Sequence, residues 1–346
     1  MVKTRKDFLP ESPPWLIEDW FPIGHRGMDT APEGSFKTIL GSWLAVCIAA
    51  GLPVFGHQTK QGPVMMIDEE TPKASLEYHL RRFAQGLGVN YKKLPIYIQS
   101  MEGFRFDRRT KMRELFDLVD SIQPVFIRMD SLLAMMPAGR QRLSENSDNL
   151  GEILRDDLNH LLGKNRSILL AAHSKKYIAE LPLDELSQME MHSIVRGHSS
   201  IVGEGCDTGY ILKKISENPL PTRFCVLTKI RRQAIPSNKI KYIEMVEQSY
   251  GEGWARLDEI PASKMPPSRL AKDMYQLFKT PDRRGSYTHS SAWIKGTCAF
   301  HTAKECRIGI MELLTRHAIS EVGPQNYEQN QKRGSQCDPD YLKGLG

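Results

Sequence analysis

The sequence predicts an α/β fold, in which a twisted, mostly parallel β-sheet with crossover helices is followed by a small helical C-terminal domain. Three helical patterns, at 37–51, 108–122 and 149–164, are each followed by a short apolar run. Parallel strands need long crossover connections, and a helix is the usual one. Repeated helix-then-strand units therefore indicate a parallel sheet.

The helices are predicted from the spacing of their apolar residues. The first pattern places five apolar or sulfur side chains on one face and stops at Gly51; they are Leu40, Trp43, Leu44, Cys47 and Ile48. A further helix is predicted at 72–88, where Leu76, Leu80, Phe83 and Leu87 repeat at the same period. On each predicted helix these residues form an apolar stripe that is wide enough to pack against a sheet.

The strands are predicted from short apolar runs that end in polar side chains. The runs at 63–70, 124–130 and 167–173 are typical of strands buried on both faces. Later runs at 208–215, 223–230 and 240–248 have the spacing of hairpins. We therefore expect the sheet to end in antiparallel strands.

Proline-rich segments predict boundaries that divide the chain into five parts. These are an irregular N-terminal arm at 1–22, a large domain at 23–260, a linker at 261–267, a small helical domain at 268–322 and a flexible tail at 323–346. A winged helix with its long helix at 302–319 is one interpretation of the small domain, and a set of plain packing helices is the other.

Composition is that of a globular protein, with 40% hydrophobic and 25% charged residues among 346. The longest apolar stretch, at 39–54, is interrupted by glycine and proline, so no membrane partner is expected. Six scattered cysteines and a charged, proline-rich start favour a cytoplasmic protein with reduced thiols. The net charge of +6 permits nucleic-acid binding without demanding it.

A candidate phosphate loop precedes the first helix. The pattern G-x-x-x-x-G-K-[ST] aligns with 31–38, where Ala31 and Phe36 stand in place of glycines while Lys37 and Thr38 are retained. Phe36 must turn its ring away from a nucleotide. The candidate nucleotide-binding residues are Ala31, Pro32, Glu33, Gly34, Ser35, Phe36, Lys37 and Thr38.

Acidic residues at the ends of two predicted strands support this interpretation. Asp130 closes one apolar run and could hold Mg²⁺ together with Thr38. Glu70, or its neighbour Glu69, closes another run and could orient and deprotonate water. Any one of these acids alone is more typical of a helix cap or a loop charge, so the prediction depends on their occurring together.

These segments resemble the RecA-like hexameric ATPases of the replicative-helicase type, in particular the AAA_25 group that includes plasmid RepA helicases. The resemblance runs from about Pro14 to about Ile243. It is carried by "PPWLIEDWFPIG", "APEGSFKT", "VMMIDEETP", "VFIRMDSL", "SENSDNLGEIL", "ILLAAHSKK" and "VRGHSSIVGEGCDTGYIL". It implies a RecA-like P-loop core that binds ATP and Mg²⁺.

The resemblance also implies a role for each matching residue. Lys37 and Thr38 would bind phosphate and Mg²⁺, Asp130 would hold Mg²⁺, Glu70 would activate water and His173 would sense the γ-phosphate. From the residues alone, the favoured interpretation of His173 is a strand-end histidine with a satisfied hydrogen bond.

Oligomer and DNA contacts are implied in the same way. Lys229 and Arg231 resemble cationic fingers that reach a neighbouring subunit's γ-phosphate, with Arg196 as the competing candidate. A homo-oligomer follows, either a hexameric ring or a filament. The candidate contacts to single-stranded DNA are Arg140, Arg142, Lys175 and Lys176, in loops that match the family's channel loops.

Three departures from the family pattern keep other functions open. The strand before the loop is polar at 24–30, Arg128 interrupts a second strand, and Glu69 stands where a glycine is usual. The main interpretation is a DNA-dependent ATPase that acts as a helicase or translocase. The alternatives are a filament, loader or regulator ATPase without unwinding, and an inactive nucleotide-binding DNA or scaffold module.

Overall fold

The computed structural model describes most of the chain up to residue 261 and short pieces beyond it. The described residues are 14–34, 36–136, 156–163, 165–179, 181, 186, 189–195, 206–216, 222–230, 240–247, 254–261, 275, 289–290, 306, 310, 313, 319–323 and 326–329. They divide into two compact units, Met1–Glu259 and Ile260–Gly346. This division falls beside the predicted end of the large domain.

The first unit is built around a sheet of nine strands. Its strands, in chain order, are β3 (Arg26–Ala31), β4 (Val64–Asp68), β5 (Ile96–Ser100), β6 (Phe126–Asp130), β7 (Ser167–His173), β8 (Thr208–Ser216), β9 (Arg223–Ile230), β10 (Ile240–Glu247) and β11 (Trp254–Ile260). Their order across the sheet is β11-β10-β9-β8-β3-β7-β6-β4-β5. The strand that leads into the candidate loop, β3, therefore lies at the centre.

Three helices of 14 residues each connect the parallel strands. They are α1 (Lys37–Ala50), α2 (Lys73–Gly86) and α3 (Arg109–Ile122). Residues 156–162 are also helical, as are the single turns Leu132–Met135 and Met191–Ile194, and 3₁₀ turns lie at Tyr91–Lys93 and Lys176–Ala179. The helices that the apolar spacing predicts are present at the expected positions.

The pairing of the strands confirms the predicted α/β fold. Strands β5, β4, β6, β7, β3 and β8 are parallel to one another, whereas β8, β9 and β10 pair antiparallel. Two strands, β5 and β11, were not predicted. They lie at the two edges of the sheet, where a strand is covered less and its apolar pattern is weaker.

Apolar side chains fill both faces of the sheet. Alternate residues of β4 point to opposite faces, so Met65 and Ile67 pack with α3 while Val64 and Met66 pack with α1 and α2. Both apolar clusters are built from residues between 16 and 257.

The N-terminal arm is more regular than the sequence suggests. It contains two short antiparallel strands, β1 (Trp15–Ile17) and β2 (Phe21–Pro22). Trp20 lies between them, buried, and its indole N–H donates to Thr228 Oγ1 at 3.2 Å. Tyr210 in turn donates its hydroxyl to the Trp20 carbonyl at 2.8 Å. The described part of the arm, residues 14–22, therefore contributes to the core.

The second unit contains a three-stranded antiparallel sheet. Its strands are β12 (His289–Ser290), β13 (Ile319–Gly323) and β14 (Asn326–Gln329), in the order β12-β14-β13. These strands lie within segments for which the sequence predicts helices and a flexible tail. The winged helix stays a prediction.

Within the described ranges, no helix is long and apolar enough to cross a membrane.

Candidate nucleotide-binding site

A pocket of about 590 Å³ opens at the carboxyl ends of the parallel strands. The strands β3, β4, β6 and β7 all end at this edge, and ligands of open α/β sheets bind there. The residues that line the pocket are Glu33, Gly34, Phe36, Lys37, Thr38, Ile39, Glu70, Thr71, His79, Asp130, Leu133 and His173. Motifs that are far apart in the sequence therefore meet in one place.

The loop before α1 has the backbone of an anion-binding turn. Gly34 has φ +74° and Phe36 has φ +64°, so both adopt the left-handed conformation. A phenylalanine rarely adopts this conformation, and the glycine of the usual motif supplies it without strain. Phe36 packs its ring against Phe224 of β9, with 5.5 Å between ring centroids. The ring thus packs on β9, while Phe36 also borders the pocket.

Lys37 is the first residue of α1 and is buried. Its Nζ donates to the carbonyl of Ala31 at 3.4 Å. Burial lowers the pKa of Lys37, while the carboxylates of Asp29 and Asp130 act in the opposite direction. An ammonium group held at a helix N-terminus suits a phosphate, which would restore the charge balance that burial disturbs.

Thr38 and Asp130 present hard oxygen donors side by side. Thr38 Oγ1 donates to Asp130 Oδ2 at 2.9 Å. A hydroxyl and a carboxylate beside a phosphate site form a donor set that fits Mg²⁺, which usually takes few protein ligands and completes its shell with phosphate and water. Among the described residues, no three histidine, cysteine, aspartate or glutamate side chains form a metal site of their own.

The two adjacent glutamates after β4 have different surroundings. Glu70 lines the pocket, where Oε1 accepts from the hydroxyl of Ser131 and lies 3.4 Å from His173 Nε2. These contacts, chiefly the one with His173, lower the pKa of Glu70. Glu69 instead accepts the backbone N–H groups of Gly103 and Phe104, at 3.0 Å each. Of the two, only Glu70 is positioned to meet a ligand in this pocket.

Asp68 is a site residue that the sequence analysis did not single out. It is buried at the end of β4, opposite Asp130 in the register, and its Oδ1 accepts the N–H groups of Glu70 and Thr71. Burial, with the nearby Asp130 charge, raises the pKa of Asp68 to about 6. It fixes the turn that carries Glu70, but it looks like an ordinary strand-end acid in the sequence.

The two polar interruptions of the strands form one buried ion pair. Arg128 of β6 donates to both carboxylate oxygens of Asp29 of β3, at 2.6 and 2.9 Å, and the two side chains are 1% and 0% exposed. Arg128 also lies 3.5 Å from Asp130 Oδ2 and donates to the Lys37 carbonyl at 3.4 Å. In the sequence, these are two separate departures from the apolar pattern, 99 positions apart, and nothing there indicates that they pair.

Several predicted residues lie elsewhere. Lys175 is half-buried and Lys176 is exposed, just beyond His173, and neither lines the pocket. Lys229, on β9, is half-buried as well, and burial lowers its pKa. Ser35, Arg140, Arg142, Arg196 and Arg231 lie outside the described residues. Ala31 and Pro32 lead into the loop without lining the pocket.

Comparison with solved structures finds similar chains of low sequence identity. A KaiC-like protein from Pyrococcus horikoshii is 18% identical with a TM-score of 0.46, over 71% of this chain and 94% of that one. The RadB recombinase is 19% identical with a TM-score of 0.48, over 69% of this chain and 92% of that one. No curated protein matches.

The sequence of the first unit matches a known family of domains. The match is to the AAA_25 family, described as an AAA domain, and it covers residues 2–177, just over half of the chain. It includes the loop, Glu70, Asp130 and His173, which the fold brings to the same pocket. The chain therefore belongs to the AAA_25 family, and its first unit carries the AAA domain, with the candidate phosphate loop following the central strand of an α/β sheet.

Proposed function

We propose that this protein is a DNA-dependent ATPase that forms a ring and moves along single-stranded DNA as a helicase or translocase. The observation that carries the proposal is the pocket in which Lys37, Thr38, Asp130 and Glu70 meet at the end of the parallel sheet. A binding site alone would need only the lysine and the loop. The additional carboxylate, oriented by two partners, supports hydrolysis.

In the proposed reaction, Lys37 binds the β- and γ-phosphates, and Thr38 and Asp130 hold the magnesium ion. Mg²⁺ would neutralise charge on the phosphates when bound. Glu70 accepts a hydrogen bond from the attacking water and takes its proton. Glu70 is a carboxylate at neutral pH, as this role requires, and the contact with His173 that lowers its pKa keeps it ionised at more acidic pH as well.

His173 is proposed to link the pocket to DNA. Its imidazole lies 3.4 Å from Glu70, and the chain continues directly to Lys175 and Lys176. A shift of His173 when the γ-phosphate leaves would therefore move a basic segment. Arg140 and Arg142 are proposed as further DNA contacts, and all four would bind phosphate without reading sequence.

Completion of each site by a neighbouring subunit is part of the proposal. Lys229 lies on β9, separated from β3 by β8, and does not line the pocket of its own chain. Lys229 and Arg231, or Arg196, would reach the γ-phosphate of the next subunit. Hydrolysis would then depend on assembly into a ring.

Steady-state ATP hydrolysis with and without single-stranded DNA tests the proposal. Glu70→Gln is expected to lower turnover about 10²- to 10⁴-fold while nucleotide still binds, because the proton acceptor is lost. Lys37→Ala is expected to lose binding. The matched control is Glu77→Gln on the surface of α2, where Glu77 pairs with Arg81, and it should leave turnover unchanged.

The outcomes separate the alternatives. DNA-stimulated turnover with displacement of a labelled strand supports a helicase, whereas turnover without displacement identifies a filament, loader or regulator ATPase. Absence of turnover in the wild type, with nucleotide binding intact, contradicts the proposal. It would identify an inactive nucleotide-binding module.

A further inference from the structure

We propose that the buried Asp29–Arg128 pair positions Asp130 and the first turn of α1 for the magnesium–nucleotide complex. Asp29 and Arg128 would then be positioning residues, acting through Asp130 and Lys37 without touching the ligand. The inference rests on the nucleotide site proposed above. It assigns a task to two residues that depart from the apolar pattern of their strands.

The pair spans three strands of the sheet. Strands β3 and β6 are not neighbours, since β7 lies between them, so their backbones are about 10 Å apart. In the register, Arg128 lies beside Leu169, Leu169 beside Gly27, and Asp29 beside Ala171. Arg128 and Asp29 share one face, and the small Ala171 leaves room for a long side chain to cross.

Helix α1 is shaped to accept this crossing. A Cβ atom on Gly41 would lie 2.7 Å from Arg128 Nε, closer than a buried guanidinium can tolerate. Glycine in a helix interior costs about 1 kcal/mol relative to alanine. The absence of a side chain at Gly41 therefore lets α1 lie directly over the ion pair.

The guanidinium contacts three parts of the candidate site at once. It donates to Asp29 at the back of the loop strand, donates to the Lys37 carbonyl at the start of α1, and lies 3.5 Å from Asp130 Oδ2. The same Oδ2 accepts from Thr38. The guanidinium of Arg128 thus links the backbone of Lys37, the proposed phosphate-binding residue, to the carboxylate of Asp130, the proposed metal ligand.

Charge balance gives the reason for a cation at this position. Asp68 and Asp130 lie opposite each other in the register of β4 and β6, and both are buried. Like charges so close repel and favour displacement or protonation of one group. An arginine side chain stays charged in proteins, so Arg128 offsets this repulsion when no metal ion is bound. The hydrogen bonds to Asp29 hold the guanidinium in place, so that it does not form its main ion pair with Asp130.

The test measures binding of a fluorescent ADP analogue, with excess Mg²⁺ and with EDTA. The wild type is expected to bind more tightly with Mg²⁺, and the ratio of the two dissociation constants defines the magnesium enhancement. The double variant Asp29→Val/Arg128→Leu replaces both charges by apolar groups, a change that buried ion pairs often tolerate. We expect its enhancement to fall about tenfold or more, with a smaller loss of binding in EDTA, because the contact with the Lys37 carbonyl is also lost.

Single variants should differ in their magnesium enhancement, in an order that a purely structural role would not produce. Asp29→Asn leaves the cation with Asp130 as its nearest carboxylate, so the enhancement should fall further than in the double variant. Arg128→Lys keeps the charge but not the two-pronged contact, and partial enhancement should return. If the double variant does not fold, the magnesium enhancement of Asp29→Asn and Arg128→Lys tests the inference instead.

An unchanged enhancement in the folded variants would overturn the inference and leave the pair with a role in folding alone. Equal loss of affinity with and without Mg²⁺ would overturn it too, because such a loss does not pass through Asp130. Failure of the proposed nucleotide site is distinguishable, since the wild type itself would then show no magnesium-dependent binding.

Discussion

At the scale of single residues, Phe36 makes two opposing contributions to the stability of the fold. Its backbone is left-handed, with φ +64°, which is unfavourable for a side chain with a Cβ atom. Its ring packs on Phe224 and belongs to the apolar cluster beneath α1. The ring contact offsets the backbone strain, and together they let a phenylalanine replace the glycine of the usual motif.

Two substitutions separate these contributions. Phe36→Ala keeps the strain and loses the ring contact, so we expect a loss of about 2 kcal/mol in the free energy of unfolding. Phe36→Gly loses the ring but also relieves the strain, so it should be more stable than Phe36→Ala by about 1 kcal/mol. Urea unfolding measures both. A glycine variant less stable than the alanine variant would contradict the left-handed conformation.

The contact between His173 and Glu70 predicts a pH effect. Its hydrogen bond is the largest cause of the lowered pKa of Glu70, so Glu70 stays ionised to lower pH than a free glutamate. In His173→Asn the pKa of Glu70 should rise. The acid side of the turnover profile should therefore move to higher pH than in the wild type. Profiles of ATP hydrolysis for both proteins check this, and coincident acid limbs would contradict it.

At the scale of elements, α1 illustrates how packing overrides helix propensity. Gly41 sits in the helix interior, where alanine is intrinsically favoured by about 1 kcal/mol. The added methyl group would meet Arg128 Nε at 2.7 Å, and Arg128 is fixed by its pairing with Asp29. The fit between the helix and the sheet therefore decides which residue is tolerated.

We expect Gly41→Ala to destabilise the wild type, because overpacking costs about 1–3 kcal/mol and exceeds the gain in propensity. In the Asp29→Val/Arg128→Leu background the same change should be neutral or stabilising, since the guanidinium is gone. Chemical unfolding of the four proteins measures this coupling. Equal effects of Gly41→Ala in the two backgrounds would show that Arg128 is not the obstacle.

The elements differ in how far the sequence predicts them. Helices α2 and α3 follow from periodicity because one side of each is buried, and β4 is apolar because both its faces are buried. Helix α1 differs, because residues 40–49 are all buried and its apolar residues extend beyond one face. The edge strands β5 and β11 carry weaker patterns and escaped notice. In the site, the motif identified Lys37, Thr38, Glu70 and Asp130, which line the pocket.

Other site contacts depend on three-dimensional proximity and leave no local pattern. Asp29 and Arg128 are 99 positions apart, and each looks like a defect in its own strand. Ser131 and His79 reach the site region only because strand ends and α2 converge there. Glu69 and Glu70 are adjacent in sequence, and only the fold assigns one to the loop at Gly103 and the other to the pocket.

At the scale of the whole molecule, the two apolar clusters around the large sheet and the pocket are built, among the described residues, from the first unit. Both apolar clusters use residues up to Leu257, and the pocket uses residues up to His173. The final strand, β11, contributes directly, since Gly86 at the end of α2 lies so close to Ala255 that a Cβ would meet its carbonyl at 2.0 Å.

We therefore expect a fragment of residues 1–261 to fold and to bind a fluorescent ADP analogue as the full chain does. A fragment of residues 1–253 lacks β11 and serves as the comparison, and it should melt at a lower temperature because Ala255 no longer packs against Gly86 of α2 and Leu257 is lost from the apolar cluster. Circular dichroism melts and nucleotide titrations check both fragments. Loss of binding in the longer fragment would show that the second unit is needed.

The buried Asp29–Arg128 pair also restricts which substitutions the protein can accept during evolution. Replacing Asp29 or Arg128 alone leaves an uncompensated buried charge, at a cost of about 3–5 kcal/mol, which is a large share of the roughly 5–15 kcal/mol that holds a domain together. Position 41 must stay small while the arginine remains. Positions 29, 41 and 128 therefore form an evolutionary unit: relatives should carry Asp29 and Arg128 together or lack both, and those with the arginine should have glycine at 41.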